Sequence, residues 1–296
     1  MKGKLILKSK KTKQTLILSL ISLVFFAGVA AILYPTFSNL LSLFTASTTI
    51  SEYKEQVANM PADDKQAILK KAQKFNDELA DGKVNKELEN CLNGTDNIMC
   101  YLEIPKISVY LPVYFGTSDE VLEKGCGYIE NTSLPIGGAS THSVISGHTG
   151  LPTAEMLTEL DQIKNGDVFY IHVLGETLAY QVDNINDVYP NDTESLKIID
   201  GEDYMTLVTC TPYGINDKRL LVRGTRVPYN PTVDTSDSPT ATQPPSEKGM
   251  DQNIVNQILI IGGIILAAIV IFVIAVVWVH IVTKKRNAQN NENNTG

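Results

Sequence analysis

Two residues nine positions apart raise the question of chemistry: Cys210, ending the stretch "YMTLVTC", and Arg219, heading "RLLVRG". A thiol attacks as its thiolate, and at ordinary pKa values of about 8.5 for Cys and about 6.5 for His such a pair is mostly uncharged at neutral pH. A neighbouring imidazole or guanidinium lowers the thiol pKa. Thr211-Pro212-Tyr213-Gly214 is turn chemistry, so the strand carrying Cys210 opens into a loop there and Arg219 begins the return. A hairpin-like return sets the two side chains side by side. Arg223, four residues on, shares a face with Arg219 in a regular strand and competes for the same role. Of the four histidines, His148 in "ISGHTGL" lies just past a strand end, flanked by Gly147 and Gly150, in the kind of loop where sites are built and backbone can approach a ligand. His172 sits inside a strand, His142 precedes one, and His280 lies in a long apolar run. Each also has a plain reading: Cys210 as a small buried hydrophobe, His148 as a turn residue, Arg219 as surface.

The elements that must position these residues are short. "CYLEIP", "VYLPVYF", "HSVISG", "DVFYIHVL", "TLAYQVDNINDVY", "MTLVTC" and "RLLVRGTRV" are rich in β-branched and aromatic residues and separated by Gly, Pro, Asn or Asp. That is the pattern of an all-β sandwich or barrel. Gly175 and Glu176 read as a hairpin turn. "PTAEMLTELDQI", from Pro152 to Ile163, reads as a short helix. Upstream, Ser51 to Lys83 is rich in Ala, Leu, Lys, Glu and Gln and reads as two helices broken near Asn59, with Pro61 at a helix start. The face formed by Ala67, Ile68, Ala72, Phe75 and Leu79 is expected to pack on a domain.

Two uncharged runs bracket this region, 15–34 and 258–282. About 20 helical residues cross the roughly 30 Å hydrocarbon core of a bilayer. Lys2, Lys4, Lys8, Lys10, Lys11 and Lys13 precede the first run; Lys284, Lys285 and Arg286 follow the second. Positive flanks stay in the cytoplasm, so the expectation is a retained, two-pass protein of the cell membrane with both ends inside and its β domain on the extracellular face. The parts are then a basic tail (1–14), a span (15–34), a helical segment (35–97), the β domain (98–227), a Pro/Thr/Ser linker (228–257), a second span (258–282) and a cytoplasmic tail (283–296). With the nine flanking bases and Glu292 set aside, 16 basic and 32 acidic residues remain, a formal −16. That excludes the basic footprint of a nucleic-acid binder. The four cysteines, Cys91, Cys100, Cys126 and Cys210, match no zinc spacing, and no metal or cofactor is expected.

The ordered strings SGHTG, TLVTCTPYGIN and RLLVRG resemble the sortase family. The likeness extends from "YLEIPKISVYLPVYFGTS" through "TSLPIGGASTHSVISGHTGLP" to "VRGTRV", about residues 98 to 227. The two-span layout and the strings TCTPYG and RLLVRG look most like class C, the pilin-polymerising sortases of Gram-positive bacteria. The resemblance implies a closed eight-stranded barrel with short helices and a catalytic triad of His148, Cys210 and Arg219. It implies a cysteine transpeptidase that cleaves a Leu-Pro-x-Thr-Gly-like sorting signal between Thr and Gly through a thioacyl-enzyme. The partners would be pilins or other surface proteins bearing that signal, and an acceptor amine from a pilin lysine or a cell-wall precursor. Alternatives are a housekeeping sortase that anchors proteins to the wall, a hydrolytic cysteine peptidase, and a catalytically silent assembly scaffold. Many class C members carry an Asp-Pro-aromatic lid. This chain has no Asp-Pro pair, and the equivalent segment, Leu79 to Cys100, has no aromatic residue. Without a ring to bury, that segment is expected to be an open or loosely held loop. The other expectation is that a disulfide from Cys91 to Cys100 or Cys126 pins it.

Overall fold

A computed structural model describes residues 2–94, 97–151, 153–229 and 247–292. Among the described residues there are ten strands: β1 (Ile98–Ile104), β2 (Val109–Phe115), β3 (Cys126–Tyr128), β4 (Thr141–Ser146), β5 (Thr149–Leu151), β6 (Ala154–Met156), β7 (Val168–Val173), β8 (Glu176–Val188), β9 (Asp203–Thr211) and β10 (Lys218–Val227). Eight of them close into a barrel in the order β1-β2-β3-β4-β9-β10-β8-β7, and β5 pairs with β6. Five helices accompany them: α1 (Lys2–Asn59), α2 (Ala62–Ala80), α3 (Lys86–Glu89), α4 (Asp119–Lys124) and α5 (Glu247–Glu292).

Period-two alternation explains the barrel wall. On β9 both faces are buried from Met205 to Thr209, with Met205, Leu207 and Thr209 on one face and Thr206 and Val208 on the other, and Val222 on the neighbouring β10 is fully buried. Tyr128, Phe169, Tyr180, Leu102, Ile104 and Ile145 are among the largest fully buried side chains. The β7–β8 hairpin turns at Leu174 and Gly175, with φ of 50° and 88°. Two consecutive positive φ values match the twist of the flanking strands, so the turn lies one residue earlier than the Gly175-Glu176 reading. The expected helix from Pro152 to Ile163 is not formed. Pro152 lies outside the described residues; Ala154–Met156 is strand β6, and Thr158–Gln162 is one 3₁₀ turn. Pairing with Thr149–Leu151 outweighs local helix propensity there. Strand β3, three residues long, was too short for a pattern to show.

The chain falls into two compact units, residues 38–252 and the two ends together, 1–37 with 253–296. In the first, the C-terminal half of α1 is held to the barrel by Tyr53, whose hydroxyl donates to Met99 O at 3.1 Å and accepts from Leu174 N at 2.8 Å. Helix α2 buries Ala72 and Phe75, while Ala67 of the expected face is exposed. Its Asn76 side chain is fully engaged with Leu134, donating to the carbonyl at 3.1 Å and accepting from the amide at 2.7 Å.

The segment after α2 is neither loose nor bridged. All four cysteines are free. Glu89 is fully buried, and its carboxylate accepts from Asn131 N at 2.6 Å, from Tyr128 Oη at 3.3 Å and from Lys86 Nζ at 2.8 Å. Leu92 is buried beside it. A charged hydrogen-bond anchor thus holds down a segment that has no ring to bury. Cys100 and Cys126 lie on β1 and β3, each in register with Val113 of the intervening β2. Cys91, the expected partner of either, instead turns its Sγ toward Ile68 O on α2.

In the second unit, α1 and α5 both contain stretches long and apolar enough to cross a membrane, and Phe272 packs on Phe25 and Phe26 with ring centroids 5.7 and 5.1 Å apart. Leu23, Ile32, Leu266 and Trp278 are each more than 60% exposed on these helices, an apolar surface with no protein against it. Helix α1 runs unbroken past Tyr34 with Pro35 inside it. Helix α5 starts at Glu247, inside the stretch read as linker; residues 230–246 of that stretch lie outside the described residues.

Candidate active site

Strands β4, β9 and β10 are neighbours, with β9 in the middle. Arg219 on β10 is the register partner of Cys210 on β9. On the other side, β4 runs parallel to β9 with Val144 opposite Thr206 and Ser146 opposite Val208. The pairing ends there, and His148 lies two residues past Ser146 as Cys210 lies two past Val208. Hydrogen bonds continue just past it: Gly147 N donates to Val208 O at 3.0 Å, and Thr209 Oγ1 donates to Gly147 O at 2.8 Å. Thr149 Oγ1 is hydrogen-bonded to Thr209 Oγ1. His148 is therefore clamped on both flanks to the two residues preceding Cys210. Cys210 and Arg219 are neighbours across β9 and β10, at about 4.8 Å between backbones, and His148 follows β4 in the turn before β5 on the other side of β9. All three are half-buried.

The glycines of SGHTG serve neighbours inside the protein rather than a ligand. A methyl group on Gly147 would meet Leu157 Cδ1 at 2.7 Å and Cys126 Sγ at 3.2 Å. Gly150 has φ +77°, and a methyl there would stand 2.6 Å from the Tyr213 ring. Gly150 thus lets the β9–β10 loop, which carries Tyr213, close against the His148 loop.

The two arginines differ in their company. Arg223 forms a bidentate pair with Asp183, at 3.1 and 2.8 Å, and its guanidinium stacks 4.2 Å from the Tyr204 ring centroid. Arg219 has no ion pair among the described residues; it donates to Lys218 O at 2.9 Å and Asn216 O at 3.3 Å in its own loop. Its remaining donors leave it able to take a ligand oxygen.

The other histidines are engaged elsewhere. His172 stacks on Tyr101, with centroids 4.3 Å apart, and shares a 2.8 Å contact with Glu103. His142 is buried between β9 and the β8–β9 loop. His280 lies in α5. The remaining thiols are unsuited to attack: burial pushes Cys126 up to about 12, half-burial takes Cys91 up to about 11, and desolvation raises Cys100.

Sequence reasoning named no residue for holding a substrate. The structure places an apolar cluster one step along from Cys210 and Arg219. Val208 shares the face of Cys210, Leu221 is its register partner on β10, and Val144 of β4 joins them in one cluster. Ile129, Val188 and Leu196 pack against it. Alternation along β9 implies Val208; Leu196, from the long β8–β9 loop, had no local signal.

Residues 102–227 match the sortase domain family model. A sortase C of Clostridium perfringens, solved with a C-terminal cell wall sorting motif, is 46% identical with a TM-score of 0.59, over 62% of this chain and all of that one. A Streptococcus pneumoniae sortase C is 48% identical with a TM-score of 0.57, over 62% of this chain and 97% of that one. Sortase A of Staphylococcus aureus is 35% identical over 135 residues, which are 43% of this chain and 64% of that relative, so this chain spans just under two thirds of its length. With the closed barrel, the matched domain and a relative covered from end to end, the chain belongs to the sortase family, and its structural neighbours are class C sortases.

Proposed function

We propose that this protein is a membrane-anchored cysteine transpeptidase in which Cys210 is the nucleophile, His148 the proton carrier and Arg219 the oxyanion and carbonyl partner. The observation that carries the reading is the register of Arg219 with Cys210, together with the hydrogen bonds that hold the residues flanking His148 to Val208 and Thr209. In the first half-reaction the Cys210 thiolate attacks the threonine carbonyl of a Leu-Pro-x-Thr-Gly-like signal. The guanidinium of Arg219 binds the oxygen as charge develops on it. The Thr–Gly bond breaks, a thioester forms on Cys210, and His148 gives its proton to the leaving glycine amine. In the second half-reaction a lysine amine of another pilin attacks the thioester. His148 takes the proton, an isopeptide bond forms, and the thiolate is released.

An extended peptide advances about 3.3 Å per residue. A substrate laid along the face of β9 would thus set its apolar residues upstream of the scissile bond over the Val208, Leu221 and Val144 cluster. Identities of 46–48% to class C structures, against 35% to a sortase A, favour a pilin lysine over a wall precursor as acceptor. The two apolar helices with their basic flanks support a two-pass arrangement with the barrel outside. The domain limits given above, with 98–227 as the catalytic barrel, belong to the same proposal.

The test uses the full chain in detergent with a sorting-signal peptide and two amines, a pilin lysine peptide and a wall-precursor peptide. Mass spectrometry should find the thioacyl adduct on Cys210 and a lysine isopeptide product. A product with the wall amine alone would make the protein a wall-anchoring sortase. Turnover that no amine accelerates would make it a hydrolase. Protease protection of terminal tags in protoplasts tests the topology, and an exposed C-terminal tag would overturn it.

A further inference from the structure

The β8–β9 loop, residues 189–202, covers part of the outer face of β4, β9 and β10. It contributes Leu196 to the apolar cluster. Its far end is tied to the start of β4: Ser140 Oγ donates to Asp200 Oδ1 at 3.0 Å and accepts from Gly201 N at 2.9 Å, and Thr141 N donates to Glu202 O at 3.0 Å. Its middle meets the barrel at His142. Lys197 O, one residue from Leu196, lies 3.0 Å from His142 Nδ1, and Thr206 Oγ1 lies 2.7 Å from His142 Nε2.

The Lys197 carbonyl fixes the Nδ1 proton, and burial favours the neutral ring. A carbonyl oxygen only accepts, so Nδ1 carries the proton and donates to Lys197 O. Nε2 is then the acceptor of the neutral imidazole, and the Thr206 hydroxyl donates to it. The ring is immobile as well as satisfied. His142 and Thr206 are each 1% exposed. The His142 backbone is bonded at both groups, its amide to Ser133 Oγ and its carbonyl to Ser133 N, each at 3.0 Å. Tyr204 packs on the ring face at 5.6 Å.

We propose that His142 is a positioning residue for the peptide groove: through the Nδ1–H bond to Lys197 O it holds the β8–β9 loop against the barrel and keeps Leu196 over the cluster that leads to Cys210. The proposal rests on the transpeptidase reading for what the groove binds, and on the geometry alone for the tether. His142 makes no contact with reacting atoms: Thr206 lies four residues before Cys210 on one strand, about 13 Å away along it. Losing the tether should therefore weaken binding of the peptide and leave the chemical steps intact.

The experiment compares full-length His142→Ala, His142→Asn, His142→Gln and Leu196→Ala in detergent. An Asn side chain presents its amide nitrogen near the place of Nδ1, whereas Gln presents it near Nε2. Expected are a KM for the sorting peptide raised about tenfold in His142→Ala, His142→Gln and Leu196→Ala, kcat within about threefold of the parent, and rescue of KM in His142→Asn. Hydrogen exchange of the amides at 193–199 should quicken in His142→Ala and His142→Gln while those of β9 and β10 stay protected. Equal KM in the Asn and Gln variants, or unchanged exchange at 193–199, would overturn the proposal. The exchange measurement needs no substrate, so it reports on the tether even if Cys210 is never acylated and the transpeptidase reading fails.

Discussion

Arg219 and Arg223 stand four residues apart on one strand, and their neighbourhoods differ. Arg223 is held at both ends of its fork by Asp183 and stacked on Tyr204. Arg219 stands beside Cys210 with loop carbonyls for company and no carboxylate among the described residues. A guanidinium already neutralised by a carboxylate contributes to the wall of the barrel; one without such a partner can bind an oxygen that gains charge. The two thus mark the ends of one face of β10, with Leu221 between them in the apolar cluster.

The comparison breaks most sharply at the nucleophile. Cys210→Ala should lower turnover by at least about a thousandfold and leave no acyl adduct by mass spectrometry, with the melting temperature close to that of the parent. Retained cleavage would move the chemistry away from Cys210. Arg219→Lys should follow, with kcat down by about a hundredfold or more, because an ammonium cannot reproduce the planar fork. Arg223→Lys should instead leave kcat near the parent value and cost about 1 kcal/mol of stability through the lost stack and bidentate pair. Equal kcat losses in the two would show that the two arginines were assigned wrongly.

Thiol reactivity sharpens the same contrast. In the intact chain at pH 8, iodoacetamide should label Cys210 at least about tenfold faster than the other three cysteines. Cys100 and Cys126 are fully buried, and Cys91 is pushed up to about 11. Peptide mapping reads the sites. Labelling of Cys210 that required removal of residues 36–97 would mean that this segment closes the groove.

The smallest effect concerns acid. Desolvation holds His142 below its ordinary value near 6.5, with the Lys197 carbonyl opposing that shift; Arg223 from β10 adds to it and Asp183 from β8 opposes it. Tyr204 from β9 packs on the ring. The folded state therefore keeps this ring neutral while the unfolded chain protonates it. Below about pH 6.5 the unfolded chain binds more protons, so the contribution is complete above that value and is lost as pH falls toward the lower folded pKa. Protection factors at 193–199, corrected for the slower intrinsic exchange in acid, should fall modestly between pH 7.5 and 5.5, and His142→Asn should flatten that dependence.

Much of this was legible because it is local. The thiol at a strand end, the turn after it and the arginine on the return are consecutive in sequence, and antiparallel pairing of neighbours follows from that alone. The strands of the barrel carried their own alternation, and the break at Asn59 carried its proline two residues on. What the tertiary structure decided lies where residues far apart in the chain meet. The segment leading to His148 lies beside the strand of Cys210 through a parallel pairing of β4 with β9, which no adjacent segment encodes. The pairing of β5 with β6 overrode a helical pattern, because hairpin hydrogen bonds outweigh propensity differences of a few tenths of a kcal/mol per residue. Glu89 became an anchor only once Tyr128 and Asn131, about 40 residues away, were folded around it. The sequence alone pointed to the pairing of Cys210 with Arg219 across one turn and to the family that these strings resemble. The ion pair that occupies Arg223 and the loop that packs on Val208 and Leu221 depend on partners whose proximity exists only after the barrel closes.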